Sequence, residues 1–490
     1  MRDPLFQLPR SDQTSLQSQV REMMVSAILD GRLPCDEPVP SSRRLARTLG
    51  VSRNTIVLAY QGLVDDGYLI PRERSGYFVN ADMQDARPAR SGTPATPPPA
   101  GLDWAARIGL HPGAQENLGK PRQWDTYDFP FIYGQVDHTL FPMAEWRDCA
   151  RQALGRRWLD TWTGDAREDD DPALVEQVRS RILPRRGIMA SDDEILITLG
   201  AQNALYILAS LLVTRTTRVA MEDPGYPDVR NIFRLHSGGH VGALPVDDGG
   251  LVVDDGLSQC DLVFVTPSHQ FPTTVTMPVE RRVRLLERAT RHDFLVIEDD
   301  YEFETSYRGE PSPALKSLDR DGRVVYVGSL SKTMFPGLRL GFLVAPAALI
   351  REARALRRLM VRHPPSNNQR TAALFLALGH HDTLIHRLHR AYHARWQAMA
   401  EALGRFLPES TRAPTFGGTS FWVRGPAGLD ADRLASRALE HGIIIEPGRI
   451  YFGAGNAPRN YFRLGFSSIP CDRIAPGITR LAGLIGEMPG

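Results

Sequence analysis

Apolar residues recur at helical spacing from Ser15 to Asp30, where Leu16, Val20, Met23, Met24, Ala27 and Ile28 share one face and Gly31 ends the run. The stretch PSSRRLARTLGVSRNTIVLAYQGLVDDGYL predicts a Ser-capped helix from about Ser42 to Thr48, a turn at Gly50, and a second helix from about Arg53 to Asp66 capped by Ser52. That is helix-turn-helix spacing. YLIPRERSGYFV then alternates apolar and polar positions about a Ser-Gly turn, the pattern of a two-stranded wing. All periodicity is lost in RPARSGTPATPPPAG, Arg87 to Gly101, which reads as a linker. Beyond it, apolar β-like runs alternate with amphipathic helical ones to the end of the chain, the signature of an α/β sheet. The boundaries expected from this pattern are a first domain over 12–81, a linker over 82–125 and a large domain over 126–490, with a smaller subdomain from about residue 380.

Composition narrows the function classes. At 490 residues, with 42% hydrophobic and 23% charged, the chain is globular and long enough for more than one core. A net charge of +1 gives no global field, so any nucleic-acid surface must be local. Four cysteines without CxxC or zinc spacing argue against a disulfide framework and a metal site. The start lacks a signal peptide's apolar core, and the longest apolar stretch, Ala204 to Val213, is about half a membrane span; a soluble cytoplasmic protein is expected. Only Lys120, Lys316 and Lys332 among the 58 cationic side chains are lysines, so a catalytic lysine has few places to be.

In a helix-turn-helix the second helix presents its N-terminal side chains to base edges, here Arg53, Asn54 and Thr55 behind Ser52. Arg43, Arg44, Arg72 and Arg74 could hold phosphates, and the wing could enter the minor groove. The bland alternative is a three-helix packing domain with solvated arginines. The stretch Pro40 to Leu69 closely resembles the GntR-type winged helix, which implies that Arg43, Arg44, Arg53, Asn54, Thr55 and Gly76 lie at DNA. Arg74 departs from that pattern, where glycine and a small residue are commoner.

In the large domain the β-like runs EILITLGAQN, RVAMEDPGYPD, LVFVTPSHQFP, FLVIEDDYEFE and VVYVGSLSKT end in polar residues, which a parallel sheet collects at one edge. Gly200, Ala201 and Gln202 open a helix whose free amides favour a phosphate, with Ser329, Ser331 and Arg339 as further donors. Lys332 follows an apolar strand and points toward a pocket, where burial would lower its pKa and favour attack on an aldehyde such as pyridoxal phosphate. The cofactor's pyridine nitrogen needs a carboxylate: Asp299, or alternatively Asp300. Tyr301 could donate to the ring hydroxyl and Tyr226 could stack on the ring face.

From about Thr126 onward the chain resembles fold-type-I aminotransferases, and EDPGYP, TPSHQFP, VIEDDY, GSLSKTMFPGLRLGF and YFRLGFS are similar to motifs of the MocR (GabR-like) regulators. The resemblance implies an α/β fold with a winged helix-turn-helix joined to a mixed, mostly parallel sheet with helices on both faces and a smaller C-terminal subdomain. It also implies pyridoxal 5′-phosphate on Lys332 through a Schiff base, and Arg463 gripping the effector's carboxylate. Phe271-Pro272-Thr273-Thr274 stands where the aminotransferases usually have asparagine-proline-threonine-glycine, which bears on transaminase chemistry. Asp228 stands where GABA-sensing members have arginine. A carboxylate there would attract an effector with an extra ammonium, such as the diaminobutyrate derivatives sensed by regulators of ectoine catabolism, unless it merely pairs with Arg230 or another arginine. The expected function is a transcriptional regulator, the aminotransferase-like domain acting as sensor rather than enzyme; the competing readings are a working aminotransferase with an accessory head and a cofactor-free dimer scaffold. A head-to-tail homodimer on repeated half-sites of double-stranded DNA is expected.

Overall fold

The computed structural model describes residues 8, 14–85, 102–306, 312–408, 410, 417–453, 455 and 457–488, so the linker read at 87–101 lies outside the described residues. The chain divides into two compact units between Gly109 and Leu110.

In the first unit, helices Leu16–Leu29, Ser42–Leu49 and Arg53–Asp65 precede a hairpin of Leu69–Arg72 and Gly76–Val79. Each helix starts on a serine whose hydroxyl accepts from the backbone N–H three residues on: Ser15 from Ser18, Ser41 from Arg44, Ser52 from Thr55. The second helix ends on Gly50 in the left-handed conformation, which frees the chain to turn into the third. Val20, Met24, Ile28, Leu45, Ile56, Leu63, Leu69 and Val79 bury against one another. Leu16, read from its spacing as part of the apolar face, is 51% exposed because it lies a full turn ahead of Val20, where packing begins. In the wing Leu69 pairs with Val79 and Arg72 with Gly76. Its turn places Arg74 at φ 59, a left-handed conformation that glycine would adopt at less cost.

The second unit is built on an eight-stranded sheet. Its order is Ile195–Thr198, Gly341–Val344, Val324–Ser329, Leu295–Asp300, Leu262–Val265, Val219–Asp223, Gly242–Asp247 and Gly250–Leu251. The strands from Val324–Ser329 to Gly242–Asp247 are parallel. Gly341–Val344 and Gly250–Leu251 run antiparallel to their neighbours. Alternation along the strands divides their side chains between two layers. Phe264, Ile297, Val325 and Val327 pack with helices Ala201–Leu212 and Pro227–His236, whereas Val263, Val265, Val296 and Val324 pack with Leu285 and Ala289 of helix Val279–His292. The carboxyl ends of the parallel strands therefore open at one edge between two helical layers.

Past residue 380 come the long helix His380–Phe406, a three-stranded antiparallel sheet of Ser420–Arg424, Tyr461–Gly465 and Glu446–Pro447, and helix Cys471–Gly486. Their core is continuous with the main one: Phe462, Leu464 and Leu481 join Ile197 and Phe342 in a single cluster. The stretch 110–125, assigned to the linker from composition, belongs to the second unit. Polar bonds rather than an apolar period hold it. Asn231 donates to the Glu116 carbonyl at 3.0 Å, Gln115 donates to the Asn231 carbonyl at 3.3 Å, and Arg449 pairs with the Glu116 carboxylate at 3.2 Å.

Candidate functional site

At the carboxyl edge of the parallel strands lies a cavity of about 490 Å³. It brings together Ala201, Gln202, Tyr226, Asp228, Asp299, Tyr301, Ser329, Ser331, Lys332, Arg339 and Arg463, residues spread over more than half of the chain.

One end is made for an anion. Gly200 caps helix Ala201–Leu212 at φ 78, and a Cβ there would stand 3.2 Å from the Arg339 Nη2. The positive φ calls for glycine, and without a Cβ the guanidinium settles beside the helix start, donating to the Leu199 carbonyl at 3.3 Å. The Ser331 N–H donates to Ser329 Oγ at 3.2 Å, folding the turn after strand Val324–Ser329 so that Ser329, Ser331 and Lys332 all face the cavity.

At the centre, Lys332 Nζ lies 4.2 Å from the centroid of the Tyr133 ring. Burial, aided by Lys120 and Arg463 against Glu302, brings its pKa down from 10.5 to about 8. Asp299 is buried with Oδ1 lacking any hydrogen-bond partner, and burial together with its neighbour Asp300 raises its carboxyl to about 7 although Lys332 opposes this. Asp300 is differently placed. Its Oδ2 accepts from Arg186 Nε at 2.6 Å and from the Tyr326 hydroxyl at 2.8 Å, which makes it a buried counterion, and of the two acids Asp299 lines the cavity. The Tyr301 hydroxyl donates to the His269 carbonyl at 2.8 Å while its ring lines the cavity.

Beside the helix start the Tyr226 hydroxyl donates to Asp228 Oδ2 at 3.1 Å, and Gln202 Nε2 donates to the same oxygen at 3.4 Å. Arg230 turns away and donates to the carbonyls of Ile450 and Tyr451, so the alternative Asp228–Arg230 pair does not form. Arg463 is buried with its guanidinium 3.9 Å from the Tyr133 ring and 4.5 Å from Phe271. Phe271 itself packs edge-on against Tyr133, Tyr226, Tyr301 and Tyr451. A hydrocarbon ring thus occupies the position where the aminotransferase pattern has an amide.

Tyr133, Lys120, Asn117 and Glu446 escaped the sequence reading. Arg463 Nε donates to Glu446 Oε2 at 2.8 Å, and Lys120 Nζ lies 3.5 Å from Glu446 Oε1. Burial alone would raise the Glu446 carboxyl, but Arg463 and Lys120 hold it below its ordinary value. The one available signal was the scarcity of lysine; no motif or strand end flags the segment that carries Lys120.

In the first unit Arg43, Arg44, Arg53 and Asn54 are exposed, as are Arg72, Arg74 and Gly76 of the wing. Thr55 is half-buried, and its hydroxyl shares a hydrogen bond of 2.8 Å with Ser52 Oγ, tying both to the helix start. The Arg72 guanidinium lies 4.1 Å over the Phe78 ring. Val57 and Leu58, 40% and 47% exposed, are apolar residues on the outer face of the same helix. Their lack of fit to the buried spacing of Ile56, Ala59, Tyr60 and Leu63 could have singled them out.

A conjugated ring aldehyde with a phosphate fits this cavity. The phosphate has the helix start and Arg339, the ring nitrogen has the orphaned Asp299 oxygen, and the aldehyde has the Lys332 amine. Among the described residues no helix is long and apolar enough to cross a membrane.

The family model for aminotransferase class I and II matches residues 169–480, and that for bacterial regulatory proteins of the gntR family matches residues 16–79. The HTH-type transcriptional regulator TauR of Rhodobacter capsulatus is 47% identical over 97% of this chain and 98% of its own length. The probable rhizopine catabolism regulatory protein MocR of Rhizobium meliloti is 31% identical over 97% and 94%. A kynurenine aminotransferase of Pyrococcus horikoshii, solved in complex with PMP, superposes with a TM-score of 0.72 at 28% identity, covering 78% of this chain and 98% of that one. LysN, an α-aminoadipate aminotransferase of Thermus thermophilus solved with N-(5′-phosphopyridoxyl)-L-leucine, gives 0.71 at 28% identity over 79% and 98%. These likenesses indicate pyridoxal 5′-phosphate as the cofactor. With a GntR-type reader and an aminotransferase-like domain in one chain, and with regulators of the same make-up aligned over nearly its whole length, the protein belongs to the MocR (GabR-like) family of transcriptional regulators.

Proposed function

We propose that this regulator senses an amino-acid-type effector in the cavity of its second unit and responds through DNA read by its first, without turning the effector over. The carrying observation is the buried, unpartnered Oδ1 of Asp299 in the same cavity as the Lys332 amine. In this reading Lys332 would hold the cofactor covalently, and Asp299, as a carboxylate, would accept from the ring N–H, whose positive charge would keep it ionised. Tyr226 would lie on the ring face, and the amides of Gly200, Ala201 and Gln202, with Ser329, Ser331 and Arg339, would hold the phosphate. When bound, the cofactor would supply an electrophilic carbon reactive toward primary amines, and a near-visible absorption band sensitive to the amine that occupies it. Arg463 draws the effector's acid group, and Asp228, which pairs with no arginine among the described residues, favours an additional ammonium, as in a diamino acid. Phe271 gives the ring oxygen no amide donor, which supports sensing over turnover.

Arg53, Asn54 and Thr55 would address base edges from the helix capped by Ser52, while Arg43, Arg44, Arg72, Arg74 and Gly76 would follow the backbone and minor groove. A homodimer, head to tail, would present two readers to repeated half-sites. An effector moves such an equilibrium only by as much as it binds the two conformations unequally.

Purified protein should absorb near 400 nm or recover that band when pyridoxal 5′-phosphate is added, and Lys332→Ala should abolish it. A footprint upstream of the protein's own gene should change when an amino compound that shifts the band is added. Sustained multiple turnover with an amino donor and a keto-acid acceptor would overturn the sensor reading in favour of an enzyme.

A further inference from the structure

Arg463 is already engaged in the structure. Its Nε donates to Glu446 Oε2 at 2.8 Å, Nη2 lies 2.7 Å from the same oxygen without an aligned hydrogen bond, and the two side chains are 1% and 4% exposed. A buried one-to-one ion pair presents little net charge to an incoming acid. The balance is altered by Lys120. Its ammonium bonds the Tyr133 carbonyl and stands 3.5 Å from the other Glu446 oxygen, and at 30% exposure it is the member of the trio most open to the cavity. Two cations around one carboxylate leave a single positive charge, which one acid group balances.

The geometry also fixes a length. A Cβ placed on Gly134 would lie 3.0 Å from Lys332 Nζ and 3.7 Å from Lys120 Nζ. The two nitrogens therefore flank one small volume, and it is open because residue 134 is a glycine at φ 77. An effector whose amine takes the position of the Lys332 nitrogen has its acid group at Lys120 only if the two are close together.

We infer that Lys120 selects the acid end of the effector, receiving it together with Arg463, and that the cavity therefore prefers amino acids with a short chain between amine and acid. The inference rests on the sensor reading above and adds the residue and the chain length.

The full-length protein loaded with cofactor is titrated with L-alanine, β-alanine, 5-aminopentanoate and ethanolamine, following the absorption band, beside Lys120→Met and Lys120→Arg. The short amino acids should act at lower concentration than 5-aminopentanoate in the unaltered protein. Lys120→Met should raise their half-saturating concentrations at least ~10-fold and erase the length preference, while ethanolamine, which has no acid, stays within about twofold and the starting band is kept. Lys120→Arg should restore most of the response. Equal weakening of all four compounds, no change in any, or loss of the band itself in Lys120→Met would overturn the assignment, since each is what a merely structural lysine would give. An unaltered protein that answers none of the amines would instead overturn the sensor reading, and the assignment with it.

Discussion

Lys332 and Asp299 illustrate how a buried environment prepares residues that look ordinary in a sequence. With its pKa lowered from 10.5 to about 8 by burial, the Lys332 amine loses its proton about two to three pH units earlier than an exposed lysine. The rate at which stripped protein regains its near-visible band should therefore climb with pH up to about 8 and then level off. A climb that continues past about pH 10 would mean that the ammonium is solvated as in water. Lys332 and Asp299 were legible because one follows and the other ends an apolar strand, and a parallel sheet must gather such ends at one edge. Tyr133 and the role of Glu446 beside it were not, because the contact that joins them spans 313 residues and no local pattern records it.

Among the elements, the helices of the first unit were read almost to the residue, since each carries its own start signal in a capping serine and the second its stop in Gly50. The recognition helix depends on Ser52, whose hydroxyl satisfies the Thr55 N–H at 3.1 Å. Ser52→Ala should cost about 1 kcal/mol, seen as a fall of ~4–8 °C in the melting of this unit, and should weaken operator binding as the first turn frays. An unchanged melt by circular dichroism would deny the cap its role. The segment over 110–125 was illegible for the opposite reason. It has no period and no cap, and it is held by side chains such as Asn231 and Arg449 that sit far along the chain. Its place at the cavity could come only from the fold.

At the scale of the whole molecule, a net charge of +1 leaves DNA attraction to the arginines of the reader. Arg43→Ala should reduce the slope of log affinity against log salt by about 1 and weaken all sequences alike, whereas Asn54→Ala should cost ~1–3 kcal/mol on its own operator alone. Uniform loss with Asn54→Ala would place that side chain on the backbone instead. Gel shifts on operators with altered half-site spacing should show a clear optimum; indifference to spacing would count against two readers engaged together. The two-domain plan was legible in the sequence because the proline-rich stretch breaks a periodicity that is strong on both sides. How the two units communicate leaves no such trace, because coupling depends on an equilibrium between arrangements rather than on a pattern.

No lysine precedes Lys120, so every cationic side chain of the reader is a guanidinium. Guanidinium groups neither titrate in the physiological range nor accept the acetyl groups by which cells commonly neutralise lysines on DNA-binding surfaces. On the reading proposed above, the reader's grip on phosphate would be closed to that enzymatic dimmer, and adjustment of occupancy at the promoter would be left to the small molecule in the other unit.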